Sequence, residues 1–164
     1  MNDIEQMRYL SSATGMYHYD MFERIFNHEL ARSQRYIGPL TLLHISVQVR
    51  DTSPDIKERA GIMMADLLNR SLRISDVPAH YNDDFLVLLP GTDEMSGGNV
   101  AERILVNLKS TQNLPTGKLF RMSAYIGLTT HAGGPGTSCK LLIAEASVAV
   151  NEALARQAHT FIAF

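Results

Sequence analysis

Two hydrophobic periods alternate along the chain. In "YHYDMFERIFNHELARSQR", residues 17–35, Met21, Phe22, Ile25, Phe26 and Leu30 recur at helical spacing, and Gly38 with Pro39 ends the pattern. "LTLLHISVQV" follows as a nearly continuous apolar run, which predicts a buried strand. Residues 55–73 return to the helical period through Ile56, Ala60, Met63, Met64, Leu67, Leu68 and Leu72. A short strand around Val77 to Tyr81, a tight turn at Asn82–Asp83 and the strand "FLVLLP" predict a β-hairpin. A third helix is expected from about Asp93 to Lys109, with Val100, Ile104 and Leu108 on one face. "LFRMSAYIGLTT" then reads as a strand, "HAGGPGTS" as a loop, residues 139–156 as the last helix and "HTFIAF" as a short closing strand. The order α-β-α-β-β-α-β-α-β combines crossovers with one hairpin. It predicts an α/β sandwich: a central mixed sheet containing an antiparallel hairpin, with helices packed around it.

The totals change this picture little. A length of 164 residues suits one domain spanning 1–164, with residues 1–10 expected as a helical or flexible N-terminal extension. With 45% hydrophobic and 20% charged residues, the composition is that of an ordinary globular protein. A formal charge of −2 argues against general nucleic-acid binding, which needs a basic excess. Cys139 is the single cysteine, so no internal disulfide forms, in keeping with a reducing compartment. The start "MNDIEQMRYLSSATG" lacks the basic and apolar regions of a secretory signal, and no run reaches membrane-spanning length. A cytoplasmic location without direct membrane insertion is expected, any membrane contact coming from a larger assembly.

Candidate chemistry is sparse. His18, His28, His44, His80, His131 and His159 show no metal-ligand spacing, and no metal is expected; His44, on the buried strand, reads as a hydrogen-bonded core residue. Ser138 and Cys139 have no adjacent base. "GGPG" at 133–136 lacks the Lys-Ser/Thr context of a phosphate loop.

A collinear series of fragments carries a resemblance. "SSATGMYHYDMF" is similar to an opening Asp-x-Leu-Thr-Gly-Leu-x-Asn-Arg-x-x-Phe, keeping Thr14, Gly15 and Phe22. "RISDVPAHYNDDFLVLLPGT" is similar to Arg-x-x-Asp followed by Arg-Tyr and Gly-Gly-Asp-Glu-Phe. "SAYIGLTT" resembles a Ser-x-Gly strand, and "LLIAEASVAVNEAL" the helix after it. Together they resemble the GGDEF (diguanylate cyclase) domain over nearly the whole chain.

The resemblance implies a catalytic site that this chain has lost. In the family, a first-strand carboxylate and one in the hairpin turn hold Mg²⁺ against GTP phosphates. The first falls at Ser46, with Gln48 next on the same face; neither supplies anionic charge. The guanine-reading Asn falls at Pro54, beside a retained Asp55. The hairpin lacks one turn residue, and its two glycines are reduced to Asn82; Asn tolerates a left-handed φ, so the turn forms, and Asp83 and Asp84 read as turn residues rather than metal ligands. The last-helix pattern Asp-x-Ala-x-Tyr-x-x-Lys becomes Ser147, Ala149, Asn151 and Leu154, so the phosphate-binding lysine is gone, and His18 replaces the Asn of the opening motif. The resemblance therefore implies a degenerate member that is not a cyclase and needs no cofactor.

A second family site, which binds the product cyclic di-GMP, uses Arg-x-x-Asp before the hairpin and an Arg on the next helix. Arg73, Asp76 and Arg103 stand at those places. An Arg fork can bond guanine O6 and N7, and a carboxylate can accept from N1–H and N2–H. The expected function is a cyclic di-GMP receptor signalling to a protein partner or a second copy, in biofilm exopolysaccharide secretion, motility or cell-cycle control. The alternative is an interaction or dimerisation module indifferent to nucleotides. Arg70, one turn before Arg73, reads as a surface residue.

Overall fold

The computed structural model describes residues 10, 11, 13–50, 53–112 and 121–164. Most of the expected N-terminal extension lies outside these residues. Helix α1 (Tyr19–Tyr36) precedes strand β1 (Leu40–Val49), helix α2 (Pro54–Ser71) and the hairpin of β2 (Val77–Tyr81) and β3 (Asp84–Pro90). Helix α3 (Glu94–Gln112), strand β4 (Met122–His131), helix α4 (Cys139–Arg156) and the two-residue β5 (Ile162–Ala163) complete the chain. The strands form one sheet in the order β2-β3-β1-β4-β5. Among the strands of the described residues, β4 and β5 run parallel and the other neighbours antiparallel, so the sheet is mixed, as its sequence pattern predicts.

Both faces of the sheet are covered, which explains why β1 reads as an unbroken apolar run. Leu43 and Ile45 of β1 pack with Phe85, Val87 and Leu89 of β3 beneath α2 and α3. Leu40 and Leu42 pack with Leu86 and Leu88 beneath α1 and α4. The strand period of two thus sorts alternate residues into two cores. Each helix presents one apolar face: Phe22, Phe26 and Leu30 on α1, Ala60, Met64 and Leu68 on α2.

Two local features constrain the framework around the candidate residues. Residue Gly127 of β4 lies directly against the α4 backbone at Ala146 and Val150, where even one added carbon would collide with main-chain atoms. Helix α2 ends at Ser71, two residues sooner than its hydrophobic period suggests, because Leu72 is extended at φ −99° and ψ 158°. Among the described residues, no helix is long and apolar enough to cross a membrane.

Candidate functional site

Of the positions with catalytic counterparts, Asn82, Asp83 and Asp84 sit at the hairpin turn. Asn82 adopts φ 53°, the left-handed conformation that the shortened turn demands, and Tyr81 pairs with Asp84 across it. A cleft of about 460 Å³ opens beside this turn, between the end of β1 and the first half of α2. Asn82, Asp83 and Asp84 line one wall, Lys57 and Gln48 contribute polar groups, and Val47, Val49 and Phe85 supply an apolar floor. Ser46, Pro54 and Leu154 do not line it.

Burial keeps Ser46 out of the cleft. It shares a sheet face with Leu42 and His44, is buried, and accepts a hydrogen bond from Gln48 Nε2 at 3.1 Å. On the same face, His44 lies diagonal to the start of β3, since Ile45 is opposite Phe85. Its Nε2–H donates to Asp84 Oδ2 at 2.7 Å, and its Nδ1 lies 3.0 Å from the Ser147 hydroxyl on α4. The Tyr81 ring meets the imidazole edge-on, with centroids 5.5 Å apart. His44, only 5% exposed, is therefore a satisfied core histidine, as its place on a buried strand predicts. Asp84 is drawn into the same chain of bonds.

Two carboxylates facing one ion are what Mg²⁺ beside phosphates requires, and these residues do not fit it. Ser46 brings a neutral hydroxyl that accepts from Gln48, and Asp84 is hydrogen-bonded to an imidazole. Among the described residues, no group of three or more His, Cys, Asp and Glu side chains is arranged to hold a metal ion.

The second set of candidates lies past the end of α2. Arg73 and Asp76 stand in a turn beyond the helix rather than on it: Asp76 N–H donates to Arg73 O at 3.0 Å, and Arg73 N–H donates to Asp76 Oδ2 at 2.8 Å. The carboxylate thus holds the main chain of Arg73, while the exposed Arg73 guanidinium has no ion-pair partner among the described residues. Arg103, on α3, directs Nε and Nη2 at the Ser71 carbonyl, at 3.2 and 2.7 Å. That carbonyl belongs to the last residue of α2, two residues before Arg73. Asn107, one turn further along α3, donates to Ser71 Oγ at 2.9 Å and fixes the same junction. Arg70 pairs with Asp66 at 3.0 Å on an exposed face, in keeping with a surface role. Burial is the leading cause that pushes the Cys139 thiol up to about 11, and Ser138 caps α4 through its hydroxyl.

Sequence reasoning missed Lys57 on the cleft wall and the partnership of His44 with Asp84. The signal available was that His44 and Ser46 alternate on one strand face. The register that brings Asp84 within reach is a tertiary fact.

Comparisons with known proteins agree with this architecture. The family model described as diguanylate cyclase, GGDEF domain, matches residues 59–160. The diguanylate cyclase SiaD of Pseudomonas aeruginosa, solved in complex with its activator SiaC, superposes with a TM-score of 0.84 at 24% identity. That match covers 98% of this chain, which spans 64% of the SiaD chain. The coiled coil and GGDEF domain of DgcB from Caulobacter crescentus, in complex with c-di-GMP, superposes at 0.83 with 13% identity, covering 98% of this chain and 88% of that one. The FimX GGDEF domain from Pseudomonas aeruginosa superposes at 0.76 with 16% identity, covering 94% and 98%. No curated protein sequence matches significantly. At these identities the structural likeness shows the fold.

Proposed function

The chain belongs to the GGDEF domain family of diguanylate cyclases, and from that membership we propose that it is a catalytically inactive member. On this reading it binds cyclic di-GMP through Arg73, Asp76 and Arg103 and passes the signal to a protein partner or a second copy. The observation that carries the proposal is the Arg103 fork on the Ser71 carbonyl. It ties the α3 guanidinium to the point of the chain from which the Arg73–Asp76 turn departs. Arg73 keeps its guanidinium available for guanine O6 and N7. One oxygen of Asp76 closes the turn, and the other is left to accept from N1–H and N2–H. Arg103 retains Nη1 for a phosphate or a stacked base.

Loss of catalysis rests on a separate support. The first-strand position carries the neutral Ser46, and the hairpin carboxylate Asp84 is bonded to His44, which supports the reading that the carboxylate pair from β1 and the hairpin is not reproduced here. The domain then acts as a receptor in the cytoplasm of a bacterium. Isothermal titration with cyclic di-GMP tests the binding: wild type gives saturable heats and Arg73→Ala loses roughly 10- to 100-fold in affinity, the worth of one bidentate guanine contact. Equal heats from the two proteins overturn the proposal.

One observation favours the second reading, a module that docks a protein without any nucleotide. Ile74, between Arg73 and Asp76, is a fully exposed apolar side chain in the same turn. A partner complex whose affinity is unchanged by saturating cyclic di-GMP selects that reading.

A further inference from the structure

Ser71, the last residue of α2, is buried and is held at two points by α3. Its carbonyl accepts from Arg103 Nε and Nη2 at 3.2 and 2.7 Å, and its hydroxyl accepts from Asn107 Nδ2 at 2.9 Å. Arg103 and Asn107 stand one helical turn apart, so both reach the same residue. Beside the Asn107 bond the seam opens into a cavity of about 250 Å³, bordered by Leu67, Arg70, Ser110 and Thr111. At that point a polar bond, rather than close packing, joins the two helices.

The bonds of a longer helix show what this grip replaces. Were α2 to continue, Ser71 O would accept from the Ser75 N–H, and the Arg73 N–H would donate to Asn69 O. Instead the Arg103 fork takes the Ser71 carbonyl, and Asp76 Oδ2 takes the Arg73 N–H at 2.8 Å. Leu72 and Arg73 both favour helix, so the stop at Ser71 comes from these side-chain bonds.

We propose, building on the reading of Arg73, Asp76 and Arg103 as a cyclic di-GMP site, that Asn107 and Ser71 are its positioning residues. They act through others. The amide-to-hydroxyl bond seats α3 on the end of α2 and aligns the Arg103 fork with the Ser71 carbonyl. The fork then fixes the point at which the chain leaves α2 for the turn that carries Arg73 and Asp76. Two of the ligand-binding side chains hang from that turn and the third from α3, and this bond sets the turn against the helix.

Isothermal titration with cyclic di-GMP and amide hydrogen exchange on the full chain test this. Asn107→Ala keeps all three ligand-binding side chains and weakens binding by roughly 3- to 10-fold, the worth of one neutral hydrogen bond. Without ligand, the Arg73 amide of the same variant exchanges faster, because the turn that Asp76 closes has lost its fixed origin. Ser71→Ala removes the acceptor instead of the donor, leaves α3 intact and gives the same two changes; it serves where Asn107→Ala does not fold. Wild-type affinity in either folded variant overturns the positioning role and leaves the ligand site standing. An Arg73 amide that keeps its wild-type exchange rate in the variants also overturns it, since an affinity loss would then not run through the turn. A wild-type protein that gives no heat with cyclic di-GMP overturns the ligand site itself, and the positioning role with it.

Discussion

The hairpin turn and the turn after α2 stand five residues apart in sequence, and they treat charge in opposite ways. At the hairpin, Asp84 is bonded to His44, and His44 to Ser147, so the polar groups satisfy one another across three elements. Past α2, the acidic group braces main chain, Arg103 anchors one edge of its fork, and the Arg73 guanidinium stands exposed without an ion-pair partner among the described residues. A buried polar chain contributes to the fold and leaves little for a ligand. An exposed cation contributes almost nothing to the fold and remains free to bind.

Substitution should separate the two regions by what each one loses. The largest effect is expected for His44→Ala, which leaves a cavity and strips Asp84 of its partner. A stability loss of about 2–4 kcal/mol is expected in denaturant unfolding. A loss below about 0.5 kcal/mol, the range of an ordinary surface substitution, would mean that the hairpin bonds are incidental. Arg103→Ala comes next, since a charged fork on a carbonyl is worth about 1.5–3 kcal/mol. It should lower stability and cyclic di-GMP affinity together, whereas Arg73→Ala should lower affinity alone. If both arginines behave alike in unfolding, the division between anchoring and binding guanidiniums fails.

The smallest effect concerns His80. Burial, and secondarily the nearby His18, lower its pKa, and its Nε2 lies 2.6 Å from the Thr14 hydroxyl. A histidine whose folded pKa is depressed takes up its proton more readily in the unfolded chain. Its contribution is therefore fully present above the ordinary imidazole pKa of about 6.5 and declines as pH falls below it. Thermal unfolding between neutral pH and pH 5 should show a slope that His80→Gln diminishes. An unchanged slope would assign the acid sensitivity to other groups.

Much of the architecture was legible because hydrophobic period is local. The limits of β1, β2 and α4 come from runs and turn residues alone, and Asn82 announces its positive φ by its identity. The end of α2 was not legible: apolar spacing continues through Leu72, while the stop comes from an Asp76 carboxylate holding Arg73 N–H. The three residues expected to form a ligand site were found by resemblance, and their spacing says nothing of the Ser71 carbonyl that the Arg103 fork grips. Asp84 and His44 are 40 positions apart, and only the antiparallel register of β1 and β3 joins them.

Gly127 has a mechanical meaning. A helix seated on a strand with no side chain between them has no rotamer to exchange and no cushion to compress, so α4 cannot slide along β4. Any rearrangement within the sheet must leave that seam clamped.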